Sequence, residues 1–267
     1  MARGAAALLL TACVVTPVAA QQSAPQKPQP PSATQKKPVP GKPRPPRQYR
    51  GFIAAGAGIQ AIDGWSDSLS YPVNAETATT EVEYSSTRGP LFDVGAGWRF
   101  WKTTGIAVGF SRMSLNSTAQ TVSEVPHPFF DQQPRHVEGE AGDIERVETA
   151  VHAQLFWVRD RGKWRTRVLG GATYFSVDQD LVTRVYTTES YPFDTAEFHR
   201  VDTERASGSG VGVNIGVDVA WMMTRAFGFG GGGRFTYGTV DLNSPSGRSV
   251  STDAGGAQGT AGIRIAF

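Results

Sequence analysis

The feature that most constrains this chain is a two-residue alternation of greasy and polar side chains, sustained from Gly51 to Phe267 and broken by links of two distinct lengths. No stretch in that range keeps a helical period, so the chain has to fold as strands. The pattern predicts eight of them, at 51–62, 90–101, 105–119, 145–158, 165–182, 209–223, 227–242 and 254–267. The links 102–104, 159–164 and 224–226 are short, whereas 63–89, 120–144, 183–208 and 243–253 are long. Short and long links alternate without exception, as an antiparallel up-and-down sheet closed into a barrel requires when one end carries turns and the other carries loops.

Each strand with clear faces has one apolar face and one that is polar, charged or glycine-rich. In the second, Phe92, Val94, Ala96, Trp98 and Phe100 oppose Asp93, Gly95, Gly97 and Arg99. In the sixth, Val211, Val213, Ile215, Val217, Val219 and Trp221 oppose Gly212, Asn214, Gly216 and Asp218. The fifth does not declare its faces. A water-soluble sandwich would pack such apolar faces together, and periodicity alone leaves that open. The tryptophans point the other way. Trp98, Trp101, Trp157, Trp164 and Trp221 all fall near short turns, as an interfacial girdle demands of an amphipathic indole, and Tyr174, Phe235 and Tyr237 stand where a second girdle belongs. The fold expected is all-β, an eight-stranded antiparallel up-and-down transmembrane barrel. Arg112 fits badly, because it continues the outward face of Ile106, Val108 and Phe110. It is expected to reach the outer headgroups and meet an anionic lipid.

The segment before the barrel divides in two. Residues 1–20 read as an export signal, with Arg3, an apolar run, Pro17 and Val18-Ala19-Ala20. Leu10-Thr11-Ala12-Cys13 is an alternative, lipoprotein-type processing site at the chain's single cysteine. Residues 21–50 hold nine prolines and seven Lys or Arg with no acidic residue, the composition of an extended, disordered linker on the periplasmic side. Removing those seven cations and Arg3 from the chain's +2 leaves residues 51–267 at −6, so the basic character belongs to the linker and not to the barrel. Nucleic acid is not an expected partner of an exported chain.

The closing hexapeptide Gly262-Ile263-Arg264-Ile265-Ala266-Phe267, together with the strand pattern, resembles the small eight-stranded outer-membrane barrels, the superfamily of outer-membrane protein A and the opacity-type surface proteins. That resemblance implies a bacterial outer-membrane location with both termini periplasmic. It implies lipid and lipopolysaccharide as surroundings, and recognition of Ile263, Ile265 and Phe267 by the barrel-assembly machinery. Unlike outer-membrane protein A itself, the chain is not expected to carry a C-terminal cell-wall-binding domain.

Some barrels of this kind modify lipids, so catalytic groups matter. His127, His136 and His199 fall in long links, and His152 faces the lumen with no serine beside it in its own strand. No catalytic, cofactor or metal site is expected, beyond a weak Ca²⁺ preference at Asp178 and Asp180. The glycine runs lack a strand-turn-helix context for phosphate and are expected to relieve crowding inside a narrow barrel. The role expected is a non-enzymatic structural or surface-interaction barrel; the alternatives are a lipid-modifying barrel enzyme and a soluble exported β-barrel binding protein. Two groups of residues carry the expectation. A luminal charge network is expected from Asp93, Arg99, Arg146, Glu148, Asp218, Arg234 and Arg264, with Asp218 opposite Gly232 and within reach of Arg234. Apolar loop tips at Tyr71, Pro126, Phe129, Phe130, Tyr191 and Phe193 are expected either to cap the barrel or to meet an extracellular partner.

Overall fold

In the computed structural model, residues 49–267 are described, so the export signal and nearly all of the basic linker lie outside the described residues. Ten strands form: β1 Gly51–Ile62, β2 Trp65–Val73, β3 Glu76–Tyr84, β4 Thr87–Arg99, β5 Thr104–Val125, β6 Arg135–Arg161, β7 Trp164–Glu189, β8 Ala196–Met222, β9 Phe227–Asn243 and β10 Ser249–Ala266. Eight of them close a ring in the order β5-β4-β1-β10-β9-β8-β7-β6 and back to β5, every pairing antiparallel. The first strand pairs with the last at the seam, Phe52 opposite Ala266. Backbone bonds of 2.8 Å and 3.0 Å between Gly51 and Phe267 finish that ladder. A closed ring leaves no long unpaired edge within the barrel.

The expected outward faces are outward. Val211, Val213, Ile215, Val217, Val219 and Trp221 are all exposed on β8, as are Phe92 and Trp98 on β4, Leu155 and Trp157 on β6, and Ile263 and Ile265 on β10. On β8 this apolar row runs from Val211 to Trp221, a span that matches the roughly 9 to 11 residues of a transmembrane strand. Trp98, Trp101, Trp157, Trp164 and Trp221 ring one margin of the belt. Tyr174, Phe235 and Tyr237, each about half exposed, stand at the other, where Ser176 and Thr239 begin a polar outer surface. A barrel in water would have to expose this belt, and the soluble reading gives no reason for it.

The links expected to be long loops are largely not loops. Residues 120–144 and 183–208 extend the hairpins β5–β6 and β7–β8, leaving only 126–134 and 190–195 outside strands, and residues 63–89 contain the β2–β3 hairpin, with β3 pairing to the upper part of β5. At about 3.3 Å per residue and a tilt near 40°, a 27-residue strand such as β8 rises about 70 Å, far beyond a belt about 25 Å tall. The physical reason for the missed strands is an inversion of polarity. Inside the belt region β5 points Ala107, Gly109 and Ser111 inward, but above it Met113 and Leu115 point inward while Ser114 and Asn116 point out. Water replaces lipid as the outer medium, so the same pleat now buries its apolar face. The upper interior is an apolar cluster that includes Leu69, Val82, Tyr84, Phe175, Val177, Leu181, Val182 and Leu242. Tyr84 stacks on Trp65 with ring centroids 4.3 Å apart, and its hydroxyl accepts from the Val182 amide at 3.0 Å.

Candidate functional site

Beneath that apolar plug the lumen is filled by polar side chains in layers, and every layer follows from the inward parity of its strand. At the short-turn end, Asp160 accepts from Arg165 at 2.7 Å and faces Arg99 at 3.5 Å. One layer up, Asp218 on β8 is gripped by Arg167 of β7 at 2.6 Å and by Arg264 of β10 at 2.7 Å. Arg234 on β9 reaches Asp93 on β4 at 2.8 Å. Above this lies a neutral chain: Gln154 donates to Asn214 at 2.5 Å, Asn214 to Thr173 at 2.8 Å, and His152 bridges Thr173 and Ser111 at 2.9 Å and 3.0 Å. The uppermost charges are Arg146 and Glu148, 3.5 Å apart. Gln60 donates to Glu148 at 2.9 Å, and Arg146 also donates to Gln179 and to the Asp253 carbonyl.

The expected luminal residues therefore all point inward, but one pairing differs. Asp218 does lie opposite Gly232, yet it is occupied by Arg167 and Arg264, and the partner of Arg234 is Asp93 across the lumen. Sequence reasoning missed Arg165 and Arg167 because β7 carries large apolar residues on both parities. Leu169 and Phe175 turn inward and Val168 and Tyr174 turn outward. The recoverable signal was the parity shared by Arg165, Arg167 and Thr173. Sequence reasoning also missed Ser111, which β5 places beside His152. The pair lacks a carboxylate on the second ring nitrogen, which meets Thr173 instead, and both groups are buried.

The tip candidates separate. Tyr71 is on β2 and buried, its hydroxyl donating to the Val185 carbonyl at 3.1 Å, and Pro126 is buried at the head of its link. Phe129, Phe130 and Tyr191 are exposed, at 71%, 54% and 88%. Phe193 sits between them, edge-on to Phe129 at 5.4 Å and to Tyr191 at 6.1 Å. His127 organises this group. Its Nδ1 accepts from the amides of Phe129 and Phe130, and its ring packs 4.7 Å from that of Phe130. Arg135 staples the two links by donating to the Pro126 and Phe193 carbonyls and to Glu189 at 2.5 Å. The result is an aromatic patch on a fastened base.

Asp178 accepts from Ser207 at 2.6 Å and Asp180 from the Glu145 amide at 3.3 Å, so both carboxylates already have donors. Among the described residues no three or more His, Cys, Asp or Glu converge as metal ligands.

The chain forms a closed eight-stranded barrel with an apolar outer belt. No family model and no curated protein matches its sequence. Among solved structures, the outer membrane protein OprG from Pseudomonas aeruginosa is similar at 11% identity and a TM-score of 0.41, over 82% of this chain and 96% of that one. Neisserial surface protein A is similar at 13% identity and a TM-score of 0.40, over 81% and 97%. The outer membrane protease OmpT from Escherichia coli is similar at 9% identity and a TM-score of 0.43, over 81% and 97%.

Proposed function

We propose that this protein is a non-enzymatic barrel of a bacterial outer membrane that works as a surface-interaction protein. In this reading its two termini and short turns are periplasmic and its tall strand extensions stand outside the cell. The observation that carries this reading is the fastened aromatic patch of Phe129, Phe130, Tyr191 and Phe193, raised at the end of the barrel remote from the tryptophan girdle. Exposed aromatics on a rigid base present contact area at little entropic cost, which is how binding surfaces are built. A lumen filled from Asp160 up to the apolar plug supports a structural rather than a conducting role.

The same reading carries three proposed partners. Lipid and lipopolysaccharide would surround the belt, with exposed Arg112 at its outer margin facing headgroup phosphates. The barrel-assembly machinery would read Ile263 and Ile265 on the seam strand and Phe267 just past its end, all three exposed. An extracellular partner would meet the aromatic patch. The deciding experiment is fractionation of the producing cells, followed by gel mobility of the detergent-extracted protein with and without boiling. A heat-modifiable band in the outer-membrane fraction is expected. Recovery in the soluble fraction without detergent would overturn the reading.

A further inference from the structure

The charged layer of the lumen does not balance. Between the short-turn rim and the His152 layer stand five arginines, Arg99, Arg165, Arg167, Arg234 and Arg264, with side-chain exposures of 18% or less. They share three carboxylates, Asp93, Asp160 and Asp218. Asp160, 40% exposed at the rim, and Asp218, 14% exposed in the layer above it, each serve two arginines. Charge pairing thus leaves one positive charge over at the open rim and one in the space above it, which the apolar plug closes off from water on the far side. Uncompensated charge in such a place is expensive, and a counterion is the simplest relief.

The same layer contains a cavity of about 50 Å³ whose charged lining is Asp93, Asp218, Arg167, Arg234 and Arg264, with Gln258 and mostly apolar or glycine groups completing the wall. That is room for roughly three or four waters, or for a small ion with one or two of them. Its wall carries three cations against two anions, one positive charge in surplus. Gln258 Oε1 has no donor and suits a water accompanying the ion, and Arg167 Nη1, without an acceptor, is tucked against the Phe52 ring 3.8 Å from its guanidinium carbon. A second, smaller hollow toward the short-turn end is lined by Arg50, Arg99 and Arg165, and shares Phe52 and Arg167 with the first. Phe52, backed edge-on by Phe156 at 5.3 Å, is the partition between an arginine-lined mouth and the cavity.

We propose that the lumen holds a small monovalent inorganic anion of chloride size, in the cavity between Arg167, Arg234 and Arg264, and that it enters from the short-turn end past Phe52. The site is a dead end, because the amide layer and the apolar plug close it above. Bound anion is then a stabilising ligand of the folded barrel and not a permeant ion.

The test uses the full mature chain refolded in detergent. Its thermal midpoint is compared in sodium chloride and in sodium gluconate, at equal ionic strength, since gluconate is too large for the cavity. Wild type should melt several degrees higher in chloride. Thr260→Asp, which sets a carboxylate on the cavity wall where Thr260 makes no side-chain hydrogen bond, should lose that difference by supplying the missing negative charge. Arg167→Gln should lose it by removing the surplus positive one. Crystals of the wild type soaked in bromide should show an anomalous peak inside the ring. Equal midpoints for wild type in both salts, a chloride effect that persists undiminished in Thr260→Asp, or a lumen without bromide would each overturn the site.

Discussion

Arg234 on β9 spans the lumen to hold Asp93 on β4 at 2.8 Å, joining two strands that are not neighbours in the ring. Ladder hydrogen bonds fix adjacent strands only, so this pair is a cross-brace that resists flattening of the barrel section. Removing one partner strands the other charge in a narrow space. Arg234→Ala should therefore cost about 2 to 4 kcal/mol, at the low end if water reaches the remaining Asp93. Arg112→Ala should cost less than about 1 kcal/mol, because its side chain is outside the ring. Urea unfolding of both variants in lipid vesicles measures this. Equal losses would mean that the luminal pair braces nothing.

The lipid face can be separated from the luminal face by three substitutions. Val217→Arg places a cation in the belt and should cost roughly 2 to 4 kcal/mol if it lies near the midplane. Gly259→Ala, outward with nothing within 4 Å of an added methyl group, should be nearly neutral. Gly216→Ala, one residue from Val217 but facing inward, would bring its methyl group to 2.8 Å from the Gly233 carbonyl oxygen and should be clearly destabilising. Folding yield into vesicles ranks the three. A tolerated Val217→Arg would contradict the belt.

What the sequence showed and what it concealed divide at the lipid boundary. The first strand, 51–62, matches β1 end to end, and the outward row on β8 is the row the alternation predicted, because lipid outside and polar side chains inside make an unmistakable pattern. Above the belt, Thr79, Glu81 and Glu83 face out and Thr80, Val82 and Tyr84 face in. That is the ordinary pattern of a soluble sheet, and among many Ser and Thr residues it reads as a polar loop. The luminal charges were legible by parity, but their pairing was not. Which arginine reaches Asp218 depends on the shear and cross-section of the closed ring, which no single strand encodes. Arg167 was hidden for a further reason, since apolar residues on both faces of β7 masked its inward parity.

Orientation is checked by epitope tags. The turn at Asn74-Ala75 joins β2 to β3 and Thr195 immediately precedes β8, both at the end remote from the tryptophan girdle. Tags inserted after Ala75 and after Thr195 should be labelled on intact cells, and a tag after Gln22 should be labelled only after permeabilisation. Labelling of the Gln22 tag on intact cells would reverse the proposed orientation.

The upper wall also contains a titratable clamp. His136 on β6 faces Glu124 on β5, its register partner, with Nδ1 2.9 Å from that carboxylate, while Nε2 lies 3.1 Å from Glu138. The Glu124 hydrogen bond first, and the Glu138 bond next, hold the imidazole pKa above its usual 6.5. A raised folded-state pKa means that protonation is favoured in the folded wall. The clamp's contribution is therefore complete below pH 6.5 and is lost as pH rises from there through the raised value. The group is fully exposed and screened by salt, so the effect is local, a tightening of the β5–β6 tip under mildly acidic conditions, weakening at high ionic strength. Titrating the His136 ring signal by NMR should give an inflection above 6.5, and Glu124→Gln should bring it down while leaving the luminal His152 signal unmoved. A wild-type inflection at or below 6.5 would show that the carboxylates do not hold the ring.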